Sequence, residues 1–179
     1  MRRIGRALST SLAARAARLR ARRIVNDIDT RRFVHQSVTD GYSPDAVAYA
    51  LRMPQDAVVR LLEEVADSPE ILEPSVDEAV SRALLGQIDR DQMIEQLRGL
   101  RIRFAPTDDY PDSGWVQLRL ALQAGLLSRA EAEWVAGAAA ERMVVRVLHS
   151  MDLEARPVSD GDARALLDAT TAALLASLT

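Results

Sequence analysis

The chain has 179 residues, of which 48% are hydrophobic and 27% are charged, and its formal net charge is −3. This balance is typical of a folded globular protein, and the length suffices for one sizeable domain or two small ones. The lack of cysteine excludes a disulfide framework, a thiolate metal site and a cysteine nucleophile, and fits a cytoplasmic location. No apolar run reaches the roughly 18 to 20 residues that span a bilayer. Because the helix formers Ala, Leu, Arg and Glu dominate, we predict an all-α protein.

The charges divide the chain into two unlike parts. Residues 1–60 contain 12 arginines and 5 acidic residues, whereas residues 61–179 contain 11 arginines and 21 acidic residues. All 23 basic residues are arginine, which suits contacts to phosphate and guanine, although the coding bias of a GC-rich genome explains this usage more simply. A basic end on an acidic chain is typical of a protein with two modules, of which only the basic one binds a polyanion.

The first predicted element is a basic amphipathic helix over about 3–25, in "MRRIGRALSTSLAARAARLRARRIV". Its apolar residues recur near four-residue spacing, with arginines on the intervening faces. Three interpretations stay open. The helix packs or dimerises through its leucines, contacts phosphates, or serves as a membrane or targeting segment.

Further helices follow at short intervals, because start and stop signals recur along the chain. Proline follows Ser43 as in a capped helix start, and "SVDE" (75–78), "DRDQ" (89–92) and "SRAE" (128–131) are capping boxes. Gly86, Gly99 and Gly125 stand where helices are expected to stop. The predicted helices span about 30–39, 44–51, 55–66, 76–86, 90–98, 114–124, 129–150 and 160–177.

Two segments interrupt this helical pattern. "DSPEILEPS" (67–75) contains two prolines and marks the predicted linker between a basic module, 1–66, and an acidic helical domain, 76–179. The second segment, 101–114, is predicted to be a loop, and its "TDDYPD" (107–112) lacks the glycine and ligand spacing of a calcium loop.

The stretch "SPDAVAYALRMPQDAVVRLLEEV" (43–65) fits the spacing of two short helices that cross at a tight turn. Counted from Pro44, six residues occupy the inward positions four, five, eight, ten, fifteen and eighteen, namely Val47, Ala48, Leu51, Met53, Val58 and Leu61. In this pattern the stretch resembles helix-turn-helix DNA-binding proteins, which place a small residue where the helices cross. Arg52 departs from the family, whose best-known members have glycine at position nine. Phe33, Val34 and Val38 would belong to the helix that completes a three-helix core.

The resemblance implies a set of DNA contacts. The helix from residue 54 to 63 would be the recognition helix, with Gln55, Asp56, Val59, Arg60 and Glu63 facing outward. Glutamine reads adenine, arginine reads guanine, valine touches a thymine methyl and aspartate accepts from cytosine. Since Asp56 and the Glu63–Glu64 pair repel phosphate, affinity would come from Arg31, Arg32, Arg52 and the first helix.

The acidic half resembles, less specifically, segments of small regulatory proteins of GC-rich actinobacteria, in "GQIDRDQMIEQLRGLRIRF" and "DDYPDSGWVQLRLALQAGLLSRAEAEWV". The resemblance implies a part that dimerises, binds an effector or holds a protein partner. Trp115, Trp134, Tyr110 and Leu127 are candidates for such a surface, although core packing is the more common role of these residue types.

No enzymatic signature stands out in the sequence. The two histidines, His35 and His149, are far apart and have no ligand at helical spacing, and neither a phosphate loop nor a nucleophile elbow occurs. We therefore expect no catalytic residue, metal or cofactor. The predicted function is a sequence-specific transcriptional regulator that binds double-stranded DNA as a homodimer, in the manner of an antitoxin-like autorepressor. The alternative is a helical protein that uses the same hairpin to bind a protein partner.

Overall fold

A computed structural model describes residues 2–100, 102, 114–152 and 159–177 of the chain. Within this part every regular element is helical, which confirms the predicted all-α class. The elements are α1 (Arg2–Thr39), α2 (Pro44–Leu51), α3 (Gln55–Asp67), a 3₁₀ turn (Pro69–Leu72), α4 (Val76–Leu84), α5 (Arg90–Gly99), α6 (Gly114–Gln123), α7 (Arg129–Asp152) and α8 (Asp160–Ser177). None of the helices in the described part is long and apolar enough to cross a membrane.

The first helix is continuous, whereas the sequence predicted two helices, over 3–25 and 30–39. The intervening residues contain neither glycine nor proline, so the chain has no local reason to stop there. Packing also holds the helix through this point, because Asp29 accepts a hydrogen bond from Arg82 of α4. Val25 and Val34, on either side, are both buried.

The chain divides into two compact units, Met1–Ile88 and Asp89–Thr179. The predicted linker was 67–75, so α4 falls in the first unit instead of the acidic domain. The reason is that α4 packs along α1, where its Val76, Ala79 and Val80 are buried. Glycine at residue 86, with φ of +73°, then ends this unit's last helical segment.

An ionic cluster fixes α4 against α1. The Glu78 carboxylate accepts hydrogen bonds from both terminal nitrogens of Arg32, at 2.5 and 2.7 Å, and from Nε of Arg82, at 2.9 Å. Arg32 also donates to the carbonyl of Leu72, so one guanidinium joins α1, the 3₁₀ turn and α4. Ser75 caps α4 as predicted, but the Glu78 side chain, expected to complete a capping box, pairs with the two arginines.

The second unit is organised around α7, which packs against α5, α6 and α8. Both predicted capping boxes of this unit are present, at Asp89–Gln92 and at Ser128–Glu131. At the starts of α5 and α7, Arg90 donates to Glu131 at 2.5 and 2.6 Å, and Arg142, in the middle of α7, donates to the carbonyl of Leu100, just after α5. The two helices therefore run in the same direction. Buried residues of this core include Leu97, Trp115, Leu118, Leu127, Val135 and Leu174.

Candidate nucleic-acid interface

The turn between α2 and α3 is closed by two backbone hydrogen bonds. The N–H of Arg52 donates to the carbonyl of Tyr49, and the N–H of Met53 donates to that of Ala48. The same pair of bonds ends helices at Gly41, Gly86 and Gly125, each with positive φ. This motif requires a left-handed residue, usually glycine. Arg52 adopts that conformation, with φ of 53° and ψ of 39°, and is the one residue other than glycine with positive φ in the described part.

The six inward positions predicted for this stretch all lie in one hydrophobic cluster. Val47, Ala48 and Val58 are buried, and the other three, Leu51, Met53 and Leu61, are partly buried against them. Ala48 is only 5% exposed, as expected of a small residue at a helix crossing. Val34 and Val38 of α1 also belong to the cluster, as predicted, and so does Leu62 of α3.

Phe33 is not part of this core. The sequence placed it with Val34 and Val38, yet the side chain is 49% exposed. Val34 is buried on one face of α1, and the adjacent residue on a helix points about 100° away from it.

The outer face of α3 presents the residues that the resemblance assigned to base contacts. Gln55, Asp56, Val59 and Arg60 are all exposed, and Asp56 and Arg60 lie on the side opposite the buried Val58. The face is not free of internal pairing, because Arg60 lies 3.2 Å from the carboxylate of Asp56, one turn earlier. Both of these side chains are about two-thirds exposed, so solvent screens the pair and little energy opposes its opening.

The arginines predicted to bind phosphate differ in how firmly acidic partners within the protein hold them. Arg32 is committed to Glu78 and to the Leu72 carbonyl, which leaves its guanidinium little capacity for a phosphate. Arg31 is held less tightly, with its Nε 3.6 Å from the carboxylate of Glu64. Arg52 is exposed at the turn, beside the start of α3. Arg32 is thus occupied by internal partners, whereas Arg52 is exposed.

The Glu78 cluster was missed by sequence reasoning. Burial raises the pKa of Glu78, but the hydrogen bonds from Arg32 and Arg82 outweigh it and hold the pKa below its usual value. The one available signal was the four-residue spacing of Glu78 and Arg82 on a helix. The partnership with Arg32, 46 residues away, has no local signature.

In the second unit, the structure describes three of the four candidate surface residues, and they differ in burial. Trp115 and Leu127 are buried in the core, whereas Trp134 is 54% exposed and lies under the guanidinium of Arg98, 4.2 Å from the ring centre. Tyr110 and the 107–112 segment lie outside the described residues. His35 is exposed, and the described residues contain no group of three or more acidic or histidine side chains that could hold a metal ion.

Comparisons with known proteins give no further guide to this surface. No family model, curated protein or solved structure matches the chain.

Proposed function

We propose that the first unit binds double-stranded DNA with α3 in the major groove, and that the protein is a sequence-specific transcriptional regulator. The observation that carries the proposal is the α2–α3 crossing, with a buried alanine at the contact and a tight turn after it. That arrangement leaves Gln55, Val59 and Arg60 exposed at the start of α3, where a recognition helix meets base edges.

The chemistry of these side chains fits reading of base edges. Gln55 can donate to and accept from adenine, Arg60 can donate twice to guanine, and Val59 can pack on a thymine methyl group. Pro54 supplies no side-chain cap at the start of α3, and residues 54–56 are exposed, so the positive end of the helix dipole is open to solvent. Arg52, which is exposed at the adjacent turn, would contact a phosphate.

The negative charge of α3 means that this helix cannot supply the affinity for DNA by itself. The helix contains Asp56, Glu63, Glu64 and Asp67 but a single arginine, Arg60. A helix of this charge gains no net attraction to phosphate, so α3 would contribute selectivity while the affinity arises elsewhere. Arg60 must also leave Asp56 before it can pair with a base.

Regulation would require the second unit. We propose that it joins two copies of the chain, because a two-fold dimer would present two α3 helices to successive major grooves. The acidic helices of this unit, and the exposed Trp134, are also available to a protein partner, as in an antitoxin-like autorepressor.

Two substitutions on α3 test the proposal by fluorescence anisotropy. The titrated duplexes are one from upstream of the protein's own coding region and one of scrambled sequence. Arg60→Ala should cost about 1 to 3 kcal/mol on the preferred duplex and reduce the difference between duplexes. Asp56→Asn should strengthen binding to both, because it frees Arg60 and removes a negative charge. The matched controls are Arg164→Ala and Asp168→Asn, which form the same type of exposed pair in the second unit. Arg60→Ala binding like the wild type would contradict the proposal.

A protein partner is the second candidate, and the acidic outer face of α3 favours a cationic one. In that case Asp56→Asn should weaken the interaction instead of strengthening it, since an attractive carboxylate is removed. The wild-type chain would then bind neither duplex at low salt.

A further inference from the structure

Apart from Arg52, the exposed arginines of the first unit that have no acidic partner in the described part of the chain lie on α1. Arg32 and Arg82 are paired inside the unit, and Arg31 and Arg60 each have an acidic neighbour. Residues 12–23 of α1, here called the basic arm, contain five exposed arginines without an ion pair in the described part of the chain: Arg15, Arg18, Arg20, Arg22 and Arg23. None of residues 12–20 is buried, so this stretch extends past the packed part of α1.

The spacing of the arginines forms a continuous basic ridge. Arg15, Arg18 and Arg22 are three and four residues apart, which places them on one side of the helix. No acidic residue precedes Asp27, so nothing within the arm offsets this charge. At 1.5 Å per residue the arm is about 18 Å long, and a duplex carries one phosphate per about 1.7 Å of its axis. The arm is therefore long enough to meet several phosphates at once.

Two exposed leucines on the arm raise the alternative of a lipid bilayer. Leu12 and Leu19 are 69% and 64% exposed and lie seven residues apart on one face. Arg15 lies between them on that face, and Arg23 follows one turn after Leu19. A helix that lies in a membrane surface presents an unbroken apolar face, whereas here Arg15 interrupts the face that carries the two leucines.

A second copy of the chain is also an unsuitable partner for the basic arm. If the two leucines took the a positions of a coiled-coil seam, Arg15 and Arg22 would take the d positions, and if the leucines took the d positions, Arg23 would take an a position. Two copies would then bring like charges together at the centre of the seam. A polyanion with regularly spaced charges is the partner that the pattern fits.

We propose that the basic arm binds the phosphate backbone of duplex DNA without regard to sequence, and so supplies the affinity that α3 lacks. This inference rests on the proposed function, with α3 selecting the sequence and the arm holding the flanking backbone. The division explains why the selecting helix can be acidic: the attraction arises on another helix.

The test replaces Arg15, Arg18 and Arg22 together by glutamine, which preserves helix propensity at exposed positions. The matched control replaces Arg129, Arg146 and Arg164, three exposed arginines of the second unit, by glutamine. Binding to the upstream and scrambled duplexes is measured at a series of salt concentrations. The arm variant should weaken binding to both duplexes by the same factor. It should also make the slope of log Kobs against log salt less steep by about 0.9 for each phosphate that the variant no longer neutralises. The control should keep the wild-type slope.

The outcomes separate this inference from the function on which it rests. If the arm variant makes the salt dependence less steep but neither duplex is preferred, the basic arm binds phosphate as inferred, and α3 does not select a sequence. If Arg60→Ala abolishes a preference while the arm variant keeps the wild-type slope, the arm inference is overturned. It is also overturned if the wild-type chain binds double-stranded RNA more tightly than DNA. Binding to vesicles of equal parts phosphatidylglycerol and phosphatidylcholine, with no binding to duplex, would have the same consequence.

Discussion

Replacing Arg52 by glycine should stabilise the first unit. The residue is held in the left-handed conformation, which costs a side chain with a Cβ about 1 to 2 kcal/mol. Glycine avoids that cost but loses about 0.5 to 1 kcal/mol more backbone entropy on folding. The difference predicts a net stabilisation of about 0.5 to 1 kcal/mol, with no change in the packing of the hydrophobic cluster.

Two control variants isolate the backbone effect. Arg52→Ala removes the guanidinium but keeps a Cβ in the left-handed conformation, so its stability should stay within about 0.5 kcal/mol of the wild type. Gly86→Ala makes the opposite change at the equivalent turn after α4. No atom lies within 4 Å of the added Cβ, so its expected loss of about 1 kcal/mol reports backbone strain without a clash.

The assay must distinguish the two units, and the sequence allows this. Both tryptophans, Trp115 and Trp134, lie in the second unit, so their fluorescence during urea unfolding follows that unit alone. Hydrogen exchange of peptides from α2 and α3 follows the first unit. Arg52→Gly should slow this exchange by a factor of about 2 to 5 and leave the tryptophan transition unchanged. Faster exchange in Arg52→Gly, or an unchanged exchange rate in both Arg52→Gly and Gly86→Ala, would refute the backbone strain inferred at Arg52.

The ionic cluster, the capping boxes and the helix crossing yield three further predictions. Glu78→Gln should destabilise the first unit by about 2 to 3 kcal/mol, measured by hydrogen exchange. This loss is smaller than that from breaking a fully buried ion pair, because both arginines are partly exposed. An effect below about 0.5 kcal/mol would mean that the unit does not need the cluster for its stability. In the second unit, the hydrogen bond from Arg90 lowers the pKa of Glu131 from 4.5 to about 2. Because the pKa of Glu131 is lower in the folded state, the pair stabilises the second unit fully above pH 4.5, and this stabilisation should disappear as the pH falls toward 2. We expect the loss to be about 1 kcal/mol, since Arg90 is exposed and solvent weakens the pair. Glu131→Gln should remove this pH dependence from the unfolding transition that tryptophan fluorescence reports. Ala48→Leu should overpack the crossing and cost about 1 to 3 kcal/mol in the exchange of α2 and α3, whereas wild-type exchange would mean that the helices separate there without strain.

Helix ends were largely predictable from the sequence because capping is local. Ser43, Ser75 and Asp89 accept hydrogen bonds from N–H groups three residues ahead, within reach of the chain itself. The predicted bounds of α2 agree with the structure, and those of α3 and α5 differ by one residue at one end. Gly99 is an exception, since it is the last residue of α5 and has no positive φ.

The inward face of the α2–α3 hairpin was also predictable, because apolar spacing on a helix fixes which residues share a side. The same reasoning put Gln55, Val59 and Arg60 outside. It failed at Arg31 and Arg32, since adjacent arginines look alike in sequence and differ only in which acidic residue folding brings to them.

The sequence by itself therefore determined the helical class, most helix ends and the face that α3 turns outward, all of which follow from contacts within a few residues. Tertiary structure decided that α4 joins the first unit and that Arg32 is occupied by an internal partner. Those outcomes depend on pairs such as Arg32 with Glu78 and Arg82 with Asp29, which are 46 and 53 residues apart. Such pairs exist only after the helices have packed, so no local pattern encodes them.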